Sequence, residues 1–109
     1  MHMTMRKYRQ LKGTPEAAVV WVKKNLMPIL KKSKGFKAYY AVAFDDGTIG
    51  SINIFDSEDA ANNANKLVRM EVGNSGSDML QHVETKVWRI LYEDHPRRST
   101  DTEDARDVA

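Results

Sequence analysis

Lys37-Ala-Tyr-Tyr-Ala-Val-Ala-Phe-Asp-Asp46-Gly47-Thr-Ile-Gly-Ser-Ile-Asn-Ile-Phe55 reads as a β-hairpin. Two runs rich in aromatic, branched and small apolar residues flank Asp46-Gly47, and Asp-Gly tolerates the positive backbone angles of a tight turn. A two-residue turn there pairs Asp45 with Thr48. Counting outward, it pairs Ala43 with Gly50, Ala41 with Ile52, Tyr40 with Asn53 and Tyr39 with Ile54. One face then carries Ala38, Tyr40, Val42, Phe44, Ile49, Ser51, Asn53 and Phe55. The other carries Tyr39, Ala41, Ala43, Gly50, Ile52 and Ile54. Phe44, Ile49 and Phe55 suit the first face to packing under helices. The second face is mostly apolar, and an apolar patch of that kind marks an interface. A second copy, sheet to sheet, is its expected cover, with Tyr39, Ala41, Ala43, Ile52 and Ile54 in the contact.

The flanks supply the helices and the remaining strands. Residues 2–10 alternate polar and apolar and read as a strand. Gly13-Thr-Pro-Glu16 starts a helix, with Thr14 as cap and Pro15 in its first turn. Val19, Val22, Leu26, Ile29 and Leu30 form its apolar stripe. Pro28 removes a donor to the Lys24 carbonyl and should kink it. After the hairpin, Ser57 caps a second helix with Glu58 and Asp59 in its first turn. Its expected buried stripe is Ala60, Ala64, Leu67 and Val68, with Asn65 close to it. Gly73 to Ser77 reads as a loop, Asp78 to Gln81 as a helical turn, and Val83 to Tyr92 as the last strand. The order is β-α-β-β-α-β, a ferredoxin-like α+β arrangement: a four-stranded antiparallel sheet with two helices on one face. Residues 1–93 make this domain. From Asp94 to Ala109 the chain is almost wholly polar, which predicts a disordered tail.

Composition narrows the chemistry. The chain has 109 residues, 41% apolar and 29% charged, which is one soluble domain. It has no cysteine, which excludes disulfides, thiolate catalysis and cysteine-held metals. No apolar run approaches the ~18 residues of a membrane span. The N-terminus lacks the apolar block of a signal peptide, so a cytoplasmic protein is expected. Ten Lys/Arg stand against Glu16 alone in residues 1–37, and acids outnumber bases beyond. Mutual neutralisation across the fold accounts for this split better than a phosphate-binding surface. Asp45, Asp46 and Asp56 are better explained by turns and capping than by a cation, and no metal site is expected. No phosphate loop, zinc spacing or serine elbow is present.

Several stretches in sequence, Met3-Thr-Met-Arg-Lys-Tyr-Arg9, Lys12-Gly-Thr-Pro15, Leu26-Met-Pro-Ile-Leu30, Gly35-Phe-Lys-Ala-Tyr-Tyr40, Asp46-Gly-Thr48 and Phe55-Asp-Ser-Glu-Asp-Ala60, resemble the antibiotic-biosynthesis-monooxygenase-like group of dimeric α+β barrels. The resemblance implies a homodimer with facing sheets and a pocket between each sheet and its helices. It implies a small aromatic or hydrophobic ligand and, in some members, oxygenation without a cofactor. Other members degrade haem with an asparagine, a tryptophan and a histidine. The matching positions here fall near Arg6, Ala64 and Asn74, so that chemistry is not expected.

Cofactor-free oxygenation uses the substrate as its own reductant. The protein has only to promote deprotonation, stabilise the anion and exclude water. Arg6, Tyr8, Tyr40, Ser51, Asn53, Trp88 and Arg89 are the ligand-binding candidates, with no cofactor required and no general base evident. Two other readings compete. One is a non-catalytic homodimer. The other is an RNA-recognition module, which shares the topology. Its base-stacking positions on the third strand fall on Gly50 and Ile52, and neither can stack a base.

Overall fold

The Asp-Gly turn closes one residue wider than expected. In the computed structural model, which describes residues 1–95, the Phe44 amide donates to the Thr48 carbonyl at 2.9 Å, and the Gly47 amide returns to the Phe44 carbonyl at 3.2 Å. Asp45, Asp46 and Gly47 therefore form a three-residue loop. Gly47 takes the left-handed conformation, φ +86°, and Asp46 Oδ1 accepts from the Thr48 amide at 3.0 Å. This is the second common hairpin geometry, a turn followed by a left-handed residue. The Thr48 hydrogen bonds, joined by Lys7 at 3.2 Å, hold the Asp46 carboxyl down at about 2.

The extra loop residue shifts the hairpin register. The pairs are Ala43 with Ile49, Ala41 with Ser51, Tyr40 with Ile52 and Tyr39 with Asn53. Strand β2 (Phe36–Ala43) is thus turned over relative to the two-residue register, while β3 (Ile49–Phe55) keeps its expected faces. Tyr39, Ala41 and Ala43 move to the helix side and leave the expected interface. Tyr40 and Val42 take their places beside Ile52 and Ile54.

Strand β1 (His2–Gln10) lies between β3 and β4 (Leu80–Arg89), giving a four-stranded antiparallel sheet in the order β2-β3-β1-β4. Its alternation sends Thr4, Arg6 and Tyr8 to the helix side and Met3, Met5 and Lys7 to the open face, as their β3 partners show. The last strand begins at Leu80 rather than Val83, so no helical turn covers Asp78–Gln81. It ends at Arg89, and the Ile90 amide adds one bond to the Met1 carbonyl at 2.9 Å.

Thr14 caps α1 (Pro15–Asn25) by accepting from the Ala17 amide at 3.1 Å. The expected kink is a break. The chain restarts as α2 (Met27–Lys32) with Pro28 in its first turn, where a missing N–H costs nothing. Ser57 caps α3 (Glu58–Glu71) through the Ala60 amide. The buried stripe of α3 is Ala61, Ala64, Asn65 and Val68. Leu67 is exposed, one residue out of phase with the expected stripe. The expected Gly73–Ser77 loop largely continues the helix as a π-helical turn, Val72–Gly76. Leu26, Leu30, Phe55, Val68 and Leu80 fill the core between helices and sheet. No helix of the described residues is long and apolar enough to cross a membrane. Of the tail expected over residues 94–109, residues 96–109 lie outside the described residues.

Gly50 of β3 has no room for a side chain. A Cβ there would collide with the Arg6 carbonyl oxygen of β1 and stand 2.9 Å from the Phe44 ring. Gly50→Ala should therefore force the central strands apart and cost about 3 kcal/mol in urea unfolding, the upper range for overpacking. An unchanged midpoint would contradict this close approach.

Candidate functional site

Three alternating residues of β1 form the floor between helices and sheet. Thr4 and Arg6 are almost wholly buried, Arg6 at 2% exposure, and Tyr8 is nearly so. Arg6 Nη1 donates to Asn65 Oδ1 on α3 at 3.1 Å, and Nη2 donates to Asn53 Oδ1 on β3. Asn53 Nδ2 passes on to Ser51 Oγ at 3.0 Å, and Asn65 Nδ2 to Thr4 Oγ1 at 3.3 Å. A chain of neutral amides and hydroxyls thus fixes a buried cation.

Among the described residues that cation has no carboxylate partner. Among the described residues the ion pairs are Lys7–Asp46, Lys12–Asp78, Lys86–Glu84 and His95–Glu93, none of which involves Arg6. A buried charge without a counter-charge is costly. Burial accordingly lowers the Arg6 pKa, opposed by the nearby phenols of Tyr8 and Tyr39. A guanidinium nonetheless stays protonated at neutral pH. Burial also raises the pKa of both phenols. A Ser51 hydrogen bond and Arg6 partly offset this at Tyr39, and Arg6 and Arg69 do so at Tyr8.

Arg6, Tyr8, Tyr39 and Ser51 line the inner end of a cavity of about 400 Å³ between α1 and the sheet. Its walls are apolar: Ala18, Val19, Val22, Leu26 and Ile49 contribute, with Ala41 and Ala43. Helix α1 stands off β2, so Ala41 and Ala43 face the helices yet remain exposed. Glu16 is the one carboxylate among the lining residues, on an exposed position in the first turn of α1. The groove continues past Met27 to Lys23 and Lys31. Trp21 Nε1 donates to the Ser75 carbonyl at 3.2 Å, tying α1 to the π-helical turn.

The structure therefore brings Arg6, Tyr8, Ser51 and Asn53 together and separates the other candidates from them. Tyr40 pairs with Ile52 and Trp88 with Met3, so both stand on the open face, 59% and 44% exposed. Arg89 pairs with His2 at the far end of β1 and is exposed. Tyr39, assigned to the open face by the two-residue turn, takes the place in the site given to Tyr40. Asn65 was legible as a neighbour of the α3 stripe, but its bond to Arg6 was not. Among the described residues no group of three His, Asp or Glu is placed to hold a metal.

No protein-family model matches the sequence, and neither does any curated protein. Solved structures match its fold. One is the NE2512 protein of unknown function from Nitrosomonas europaea, at TM-score 0.63 and 17% identity over 89% of this chain and 96% of that one. Another is SnoaB, a cofactor-independent oxygenase from Streptomyces nogalater, at TM-score 0.62 and 14% identity over 88% and 98%. A third is a candidate antibiotic biosynthesis monooxygenase from Chloroflexus aurantiacus, at 0.60 and 12% over 86% and 96%. The fold is that of the antibiotic-biosynthesis-monooxygenase-like proteins, and at these identities the likeness concerns the fold alone.

Proposed function

We propose that this chain is a small-molecule enzyme or binding protein of the cofactor-independent oxygenase kind. It takes a small, largely apolar aromatic molecule bearing an acidic hydroxyl into the cavity between α1 and the sheet. The buried Arg6 guanidinium, without a carboxylate partner at the end of an apolar cavity, carries this reading. Such a charge favours the anionic form of a bound phenol or enol. The apolar walls exclude water and strengthen that interaction. The one carboxylate among the described lining residues is the exposed Glu16, so lowering the ligand's own pKa lets its hydroxyl proton pass to solvent without a dedicated base. Arg6 and the phenols of Tyr8 and Tyr39 face the developing oxyanion. The resulting electron-rich anion is then the reductant for dioxygen, which needs no cofactor.

A non-catalytic binder uses the same site, and the absent base is the observation that favours it. In either case the working unit is a homodimer with open faces together, covering Met3, Met5, Ile52, Ile54, Tyr40, Val42 and Trp88. Nucleic acid fits this face poorly. Tyr40 and Trp88 lie on opposite edge strands and in different rows, Tyr40 beside Ile52 and Trp88 beside Met3, so no continuous aromatic platform forms.

The test uses 4-nitrophenol, whose absorbance reports its ionisation, against nitrobenzene, which lacks the hydroxyl. Saturable binding of the phenol with ionisation at lower pH than in free solution, and weaker binding of nitrobenzene, is expected. Equal affinities with an unshifted titration would refute an anion-stabilising site. Oxygen uptake with anthrone and no added cofactor then separates enzyme from binder.

A further inference from the structure

A second cavity lies on the other side of Arg6 and Tyr8. It measures about 240 Å³ and sits between the end of α3, the π-helical turn and β4. Its polar lining includes Arg6, Arg69, His82, Thr85, Ser77 and Asn65, and no carboxylate is among the described residues that line it. The larger cavity has Glu16 among its lining residues and is mainly aliphatic. Both present mostly apolar surface and differ in their charged groups: Arg6 and Arg69 in the smaller, Arg6 with Glu16 and Lys23 in the larger.

Two backbone irregularities build the smaller cavity. Strand β4 bulges, so that Lys7 pairs with Glu84 but Tyr8 pairs with His82, leaving Val83 as the extra residue. In an unbroken ladder Val83 would stand opposite Tyr8, on the helix side. The bulge substitutes an imidazole for that apolar side chain. Bulges beside functional sites re-aim side chains in this way. His82 packs edge-on against the Tyr8 ring at 5.7 Å, and its Nε2 lies 2.8 Å from Thr85 Oγ1. On the opposite wall, α3 runs into a π-helical turn, a form frequent at functional sites. Val72 and Gly73 of that turn line the cavity beside Arg69.

Arg6 has five N–H donors, and its side-chain acceptors are Asn53 and Asn65. Among the described residues its charge has no carboxylate partner, and Arg69 adds a second guanidinium to the lining of the same space. We propose that this cavity is a binding site for a compact oxyanion, of the carboxylate or phosphate class. Arg69 and Arg6 supply the charge, with His82, Thr85 and Ser77 as hydrogen-bonding groups. The site needs no ligand in the larger cavity, although both cavities draw on Arg6.

The test is a titration of the full chain with inorganic phosphate, and separately with acetate, followed by amide chemical shifts. Saturable shifts at Ser77, His82 and Thr85 are expected with at least one of the two, and which one saturates at lower concentration identifies the anion class. Arg69→Met should weaken that binding at least tenfold. Arg69 is exposed on α3, so the variant keeps its fold, as circular dichroism will verify. Val22→Trp, which fills the larger cavity, should leave anion binding unchanged while blocking 4-nitrophenol, so the two sites fail or survive separately. Shifts confined to the lysines of α1 and α2, or saturation unaltered by Arg69→Met, overturn the proposal.

Discussion

In Arg6→Met, 4-nitrophenol should bind about 100-fold more weakly and titrate as it does in free solution. The magnitude follows from the environment. A hydrogen bond to a charged group contributes ~1.5–3 kcal/mol, and ~1.4 kcal/mol is a factor of ten. A guanidinium at the dry end of an apolar cavity belongs at the upper end of that range. If anthrone oxidation is observed, its rate should fall by about 10²–10³, as for loss of an oxyanion donor. Stability responds less, because two effects oppose each other. Methionine removes a buried charge that lacks a counter-ion, but it leaves Asn53 Oδ1 and Asn65 Oδ1 without their donor, at about 1–3 kcal/mol each. Arg6→Lys should be intermediate, since an ammonium keeps the charge but cannot reproduce the fork that spans the two amides. Unaltered 4-nitrophenol affinity in Arg6→Met would place the anion elsewhere.

Ile52→Asp should turn a dimer into a monomer. Light scattering on the wild type is expected to give twice the 12.4 kDa chain mass, and the variant the chain mass itself. Ile52 stands at the middle of the open face, paired with Met5 on one side and Tyr40 on the other. In a sheet-to-sheet dimer its side chain is buried against the second copy. A carboxylate there, on both protomers, must be desolvated without a partner, which costs several kcal/mol each. In the isolated protomer the same side chain is only half-buried, so the variant should remain folded. A monomeric wild type would remove the homodimer from the proposal and leave Tyr40 and Trp88 without a cover.

These two substitutions differ in how far the sequence alone would have led to them. Ser51 and Asn53 could be placed on the helix side because β3 alternates without interruption, whereas Arg6 and Tyr8 were candidates by residue type and only the β1–β3 register puts them beside Ser51 and Ile49. Period two is a local property, set by the pleat of the backbone. Caps were equally local. Thr14 and Ser57 each bond an amide three residues on, and nothing distant is needed to anticipate that. The order of elements, and with it the fold, followed from such signals.

Tyr39 and Tyr40 were exchanged for a reason that is also physical. Asp46-Gly47 serves a two-residue turn with both central residues at positive φ. It serves equally a three-residue loop with Gly47 alone in the left-handed region. The dipeptide is identical in the two, and one residue of difference inverts every side chain of β2. Strand pairing chose between them, through the Phe44 and Thr48 backbone bonds and the packing of Tyr39 against the core. The bulge at Val83 is of the same kind, since only the β1–β4 ladder shows that His82 rather than Val83 faces Tyr8. The order of the elements, their caps and the helix-side residues of β3 were legible in the chain, because hydrogen bonds and periodicities a few residues long encode them. Which face of β1 meets the helices, which tyrosine enters the site, how Asn65 holds Arg6, and where Arg69 and His82 converge were set by tertiary packing, because these depend on registers between strands far apart in the chain.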